Sequence, residues 1–184
     1  MPVLILGLLL WVLAHTFKRM APGLRARMGD AGKGLVAALI LLGVLLMVIG
    51  YRQTDFIPIY NPFPGAGHLN NTLMLISVFL FGVGGTKGTL YTRMRHPMLW
   101  GTVVWAVAHL LVNGDLASIV LFGCLAIWAF IEMSLINGAG PWLRPVHGRG
   151  LKGDAMNLVG TVVIIGVAAL IHQWLGHPVF LGNY

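Results

Sequence analysis

Two pentads of one pattern, Trp11-Val12-Leu13-Ala14-His15 and Trp105-Ala106-Val107-Ala108-His109, each lie inside an apolar run of membrane length. An ionisable side chain inside a spanning helix is costly, so its presence there points to use. In each pentad the indole stands one helical turn before the imidazole, on the same face. Two imidazoles on separate helices can act as paired axial ligands of a haem. The structural alternative is that each His hydrogen-bonds a neighbouring helix and each Trp fills space.

The elements that must position these residues are membrane helices. Hydrophobic residues make up 58% of the chain and charged residues 9%, more apolar surface than a soluble domain of 184 residues can hide. Six apolar segments stand out, at about 2–18, 34–51, 70–86, 97–113, 116–136 and 155–175. Most approach the ~20 residues that a bilayer needs, and the third is short. Gly23 and Gly29 fall in the first loop and Pro58, Pro62 and Pro64 in the second. Gly84, Gly85 and Gly88 end the third segment, and Gly138, Gly140, Pro141 and Pro145 mark the fifth loop. Asn113-Gly114 predicts a tight turn, Asp115 an N-cap, and Pro97 the first turn of its helix. No linker separates two domains, so residues 1–184 read as one all-α, polytopic transmembrane bundle of about six helices.

Charge gives the orientation. Of the twelve Lys and Arg residues, all but Arg52 fall in the first, third and fifth loops, which therefore share one side. The positive-inside rule makes that side cytoplasmic and places both termini in the periplasm. Lys18 and Arg19 follow the first apolar run and no cation precedes it, so it reads as a retained span and not a cleaved signal. The net charge of +7 is then topology and attraction to anionic lipid, not a nucleic-acid surface. Cys124 stands alone, which excludes a disulfide or a thiolate cage within the chain.

In the fourth segment Thr102, Trp105, His109 and Asn113 share a face that should point into the bundle, and in the first Leu8, Trp11 and His15 do the same. His15 lies near the cytoplasmic end of its helix and His109 near the outer end of its own. At ~1.5 Å per residue their depths differ by roughly 10–15 Å, which suits a haem lying nearly flat between them. His172, near the outer end of the last segment, matches His109 better in depth, so His109–His172 is the competing pair. Glu132, the carboxylate within a span, is expected to pair with Arg95 or His96 at the membrane face. Arg93, Arg95 and His96 read either as interfacial anchors before Pro97 or as a cationic pocket for a haem propionate. His68 is expected in an exposed loop that could cover an outer cavity, and His147 and His177 read as loop residues. No phosphate-binding loop, dinucleotide fingerprint or supported Ser-His-Asp pattern is present, and no catalytic residue is singled out.

The run Arg93-Met94-Arg95-His96-Pro97-Met98-Leu99-Trp100-Gly101, continuing through Trp105, Ala108-His109-Leu110-Leu111 and Asn113-Gly114-Asp115-Leu116-Ala117-Ser118, resembles the NnrU family. Its members are bacterial membrane proteins associated with nitrite and nitric oxide reduction, and it includes the plant cis-zeta-carotene isomerase. The resemblance covers most of the chain. It implies a haem b protein of the bacterial inner membrane, with axial ligands falling on His15 and His109 and a supporting role for His96; the pentads add Trp11 and Trp105 beside the ligands, and the cationic-pocket reading adds Arg95. The isomerase has a Cys shortly before its second ligand. Here that stretch is Trp105-Ala106-Val107-Ala108, so no thiolate can replace the imidazole.

The expected function is a redox or nitrogen-oxide role, with nitric oxide or electrons at the haem. The alternatives are cis-trans isomerisation of a carotenoid-like polyene, or a non-catalytic subunit of a membrane complex with a membrane-protein partner. A more distant likeness is to isoprenylcysteine methyltransferases, which share Arg-His-Pro. Arg144-Pro145 is present here, but the acidic partner motif of that family is not.

Overall fold

The computed structural model describes residues 1–179. Seven α-helices account for most of them: α1 (Pro2–Met20), α2 (Pro22–Arg27), α3 (Gly29–Arg52), α4 (Ala66–Thr86), α5 (Pro97–Val112), α6 (Leu116–Gly138) and α7 (Gly150–Trp174). A 3-10 turn at Thr89–Thr92 links α4 to α5. Among the described residues there is no β-strand, only an isolated bridge between Pro58 and Asp115. Five helices are long and apolar enough to cross a membrane: α1, α3, α4, α6 and α7. Of the six expected spans, α5 falls short: its 16 residues reach roughly 24 Å at 1.5 Å each, less than a bilayer's hydrocarbon core.

Three helices begin well before their apolar segments. α3 begins at Gly29, α4 at Ala66 and α7 at Gly150, each four or five residues before the apolar run. Backbone hydrogen bonding continues through polar interfacial residues that a hydropathy window excludes. For the same reason part of the first loop is itself helical, as α2, and His68 sits on the first turn of α4 and not in a loop.

The helices pack in the order α3, α1, α6, α5, α4, α7, each chiefly against its neighbours in that row. Close approach between α1 and α3 rests on glycine. A Cβ on Gly50 would lie 2.2 Å from the Leu4 nitrogen, and one on Gly7 would lie 2.6 Å from the Met47 nitrogen. Small residues that let backbones touch replace hydrophobic burial as the packing device in lipid. α4 and α5 join through the Ser77 hydroxyl, which donates to the Gly101 carbonyl at 2.8 Å. α7 joins α4 through Asn157 Nδ2, which donates to the Phe79 carbonyl at 2.8 Å.

α6 is the hinge of the row, with α1 on one side and α5 on the other. Its buried face (Leu125, Trp128, Ala129, Met133) joins Leu4 and Leu8 of α1 and Val103 of α5 in one core. At its start Asp115 is the expected N-cap, accepting from the Ser118 amide at 3.0 Å. Ser118 Oγ also meets Tyr51 Oη of α3 at 2.8 Å, a polar tie across the bundle.

The second loop folds back over the α5–α6 turn. Ile59 and Tyr60 amides donate to the Gly114 carbonyl at 2.8 and 3.0 Å, and the Leu116 amide donates to Ile57 at 2.9 Å. Tyr60 Oη donates to the Leu110 carbonyl and, at 3.1 Å, to that of Asn113. A Cβ on Gly114 would lie 1.9 Å from the Tyr60 carbonyl oxygen, so the turn needs glycine. Met1 and Val179 lie at this same end, bonded to Thr54 and Asn71. Both ends of the described chain thus lie opposite the cation-rich loops.

Candidate functional site

The two pentads build the same local structure on different helices. On α1, His15 Nδ1 lies 2.9 Å from the Trp11 carbonyl; on α5, His109 Nδ1 lies 2.9 Å from the Trp105 carbonyl. A carbonyl only accepts, so in each ring Nδ1 carries the proton. The lone pair of the neutral imidazole is then on Nε2, the arrangement that fixes a metal-ligating histidine. Each ring also packs on its own indole, with centroids 4.1 Å apart for Trp11–His15 and 4.9 Å for Trp105–His109.

α6 supplies a third ring to each pair. Trp128 meets His15 edge-on at 4.8 Å and Trp11 at 5.3 Å. Phe122 stacks on His109 at 4.6 Å and meets Trp105 at 4.9 Å. Six residues separate Phe122 from Trp128, about 9 Å along the α6 axis. Trp105 and His109 of the expected inward stripe of α5 thus face α6, and the two imidazoles flank α6 at different depths.

Sequence reasoning missed these two α6 aromatics. A signal was present. Trp128 stands four residues before Glu132, just as Trp11 and Trp105 stand four before His15 and His109. Three of the six Trp residues thus precede a buried or partly buried ionisable group by one turn.

Glu132 does not pair with Arg95 or His96. Its Oε1 accepts from Arg19 Nε of α1 at 2.6 Å, because Arg19 reaches that turn of α6 while Arg95 is taken up farther along the helix. Arg95 donates instead to the carbonyls of Ile136 and Gly140, at 3.2 and 2.7 Å, and so caps the C-terminal end of α6. His96 Nε2 bonds Asn137 Oδ1 at 2.8 Å. Together they clamp the start of α5 to the end of α6, beyond the His15 cluster.

Several buried polar atoms around His15 have no protein partner: Trp11 Nε1, Trp128 Nε1 and Glu132 Oε2. Unpaired buried donors are rare and call for a group that satisfies them. Two such indole donors beside His15 fit a site that receives a hydrogen-bond-accepting group. The donor chemistry also fits. Two imidazoles offering Nε2 from separate helices are donors of the kind that would hold a haem iron. Among the described residues no three His, Cys, Asp or Glu side chains gather as a metal cluster would need.

The remaining candidates are placed as follows. His172 bonds its own helix through Nδ1, 2.7 Å from the Ala168 carbonyl, and is exposed at the end of α7. His68, His147 and His177 are exposed. Cys124 is exposed on α6. Asn113 Nδ2 donates to the His109 carbonyl at 2.8 Å, and Thr102 to that of Met98 at 3.1 Å. A cavity of about 300 Å³ opens between the second loop (Tyr60, Asn61, Pro62, Phe63) and α5 (Val107, Leu110, Leu111). A second, of about 570 Å³, lies at the opposite end, lined by Arg149, Lys152 and Met156.

A family model described as NnrU protein matches residues 3–179. No curated protein matches the chain, and no solved structure does.

Proposed function

Since the chain belongs to the NnrU family, we propose that it is a haem b-binding protein of a bacterial cytoplasmic membrane, in which His15 and His109 would hold the haem iron, with a redox role in nitrogen-oxide respiration. The observation that carries this reading is the matched pair of imidazoles, each with Nδ1 bonded at 2.9 Å to the carbonyl of a Trp one turn earlier. That bond sets the tautomer and ring orientation before any ligand arrives, so little order remains to be imposed on binding. Bound haem b would supply one-electron redox chemistry. The chain's own part is to present Nε2 from α1 and α5, to wall the rings with Trp11, Trp105, Phe122 and Trp128, and to offer unpartnered indole N–H groups beside His15. Arg95 and His96 serve indirectly, by fixing α5 against α6.

A second reading has one observation in its favour. The cavity of about 300 Å³ beneath the second loop borders the α5 turn that carries His109, and its wall includes Val107, Leu110 and Leu111. An apolar chain such as a polyene could be held there, as cis-trans isomerisation would require.

The test is an optical spectrum of detergent-purified protein, oxidised and dithionite-reduced, for wild type and the variants His15→Ala, His109→Ala and His172→Ala. Sharp low-spin α and β bands lost in the first two variants and kept in the third are expected. Retention in His15→Ala with loss in His172→Ala would move the site to the His109–His172 pair. No Soret band in wild type purified with ample haem would overturn the reading.

A further inference from the structure

We infer that the cavity at the start of α7 is a binding site for one anionic phospholipid, its phosphate held by Arg149 and Lys152 and an acyl chain laid along the exposed face of α7. The cavity is lined by these two cations and Met156 and measures about 570 Å³. It lies at the cation-rich end of the bundle, where a lipid headgroup would sit.

The charge there is unbalanced. Among the described residues the ion pairs are Arg19–Glu132 and Lys33–Asp30, so neither Arg149 nor Lys152 has a carboxylate partner. The nearby carboxylate is committed elsewhere: Asp154 Oδ1 accepts from the Thr89 amide at 2.8 Å, and Oδ2 from the Thr89 hydroxyl. Lys87 does not fill the cavity, since its ammonium sits 5.9 Å over the Tyr91 ring. Two unpaired cations at a membrane face complement one phosphate.

The cavity wall is held in place by the chain. The Arg149 amide donates to the Lys87 carbonyl at 2.6 Å. A Cβ on Gly153 would lie 2.7 Å from both the Gly88 nitrogen and the Thr86 carbonyl oxygen, so glycine lets α7 seat directly on the end of α4. From that seat one face of α7 runs Lys152, Met156, Val159, Val163, Val167 at spacings of four, three, four and four. All are exposed, and none but the first is charged. A soluble phosphate would use the cations alone. Only a lipid uses the cations and this stripe together, which is why the occupant is a membrane phospholipid.

The test is native mass spectrometry of the detergent-purified chain titrated with phosphatidylglycerol, phosphatidylcholine or inorganic phosphate. Phosphatidylglycerol should bind at least tenfold more tightly than phosphatidylcholine. Each of Arg149→Gln and Lys152→Gln should weaken it about fivefold, and Lys152→Arg should restore it. Lys33→Gln, which removes an exposed cation elsewhere, should leave the preference intact. Met156→Asp should weaken the lipid as well. Equal binding of the two lipids, or a preference unmoved by either cavity substitution while the variants keep wild-type unfolding temperatures, would overturn the proposal. So would millimolar phosphate displacing phosphatidylglycerol while Met156→Asp has no effect, which would make this a free-anion site.

Discussion

Trp128 and His15 meet edge to face across the α1–α6 interface, with ring centroids 4.8 Å apart. The contact places an α6 side chain, named by no motif, against one of the two histidines that the pentads single out. Phe122 does the same for His109 at 4.6 Å. The two histidines thus share one supporting helix although they do not share a neighbour in the sequence.

That shared support predicts separable effects. Trp128→Ala should cost roughly 3–5 kcal/mol and loosen the His15 end, and Phe122→Ala a similar amount at the His109 end. Because the sites lie about 9 Å apart along α6, the two losses should nearly add in the double variant. Denaturation in mixed detergent micelles would measure all three.

The ion pair between Arg19 and Glu132 should show the asymmetry of buried charges. The Glu132 side chain is 9% exposed and bonds Arg19 at 2.6 Å. Arg19→Ala should destabilise by roughly 3–5 kcal/mol by leaving a buried carboxylate unpaired. Arg19→Ala combined with Glu132→Gln should recover much of that loss. A double variant as unstable as the sum of the singles would contradict this account.

Gly50→Ala should part α1 from α3, since the added Cβ would lie 2.2 Å from the Leu4 nitrogen. Overpacking of this kind costs roughly 1–3 kcal/mol or more, as backbone cannot give way like a side chain. Gly160→Ala, where the Cβ meets nothing within 4 Å, should leave stability unchanged or slightly raised. Unfolding midpoints of the two variants under one detergent condition would decide.

Tyr60 offers a titration test of the outer loop. Burial, and after it the Asp115 carboxylate, raises the phenol above its ordinary value. A raised folded pKa means that the hydroxyl's contribution is fully present below the unfolded value, about pH 10, and is lost as pH rises through the folded one. Ultraviolet titration of phenolate should therefore show a late-titrating group that Tyr60→Phe removes. In that variant the loop should also be cleaved faster by protease at neutral pH.

The helices were legible in the sequence wherever apolar length marks them, and the Asp115 cap and Pro97 start were legible from local chemistry. Helix ends at Gly29, Ala66 and Gly150 were not, because hydropathy falls at the interface while backbone hydrogen bonding continues. The local geometry of each pentad follows from its spacing. Its partners do not: which helix faces His15 depends on packing order, and the glycines that set that order, Gly7 and Gly50, carry no mark in a hydropathy profile. Glu132 was misassigned for the same reason, since proximity to Arg95 in a two-dimensional topology says nothing about which helices touch.

The packing row also bears on biogenesis. α1 and α3 leave the ribosome first, yet they meet the rest of the bundle mainly at α6, which is made after α4 and α5. The N-terminal hairpin must therefore persist in the bilayer as a self-sufficient pair, held by its glycine contacts, until α6 is inserted. His15 has only its own Trp11 beside it through that interval, and its Trp128 neighbour arrives only when most of the chain has been translated. Any cofactor bridging α1 and α5 would be loaded late, after α6 has brought the two halves together.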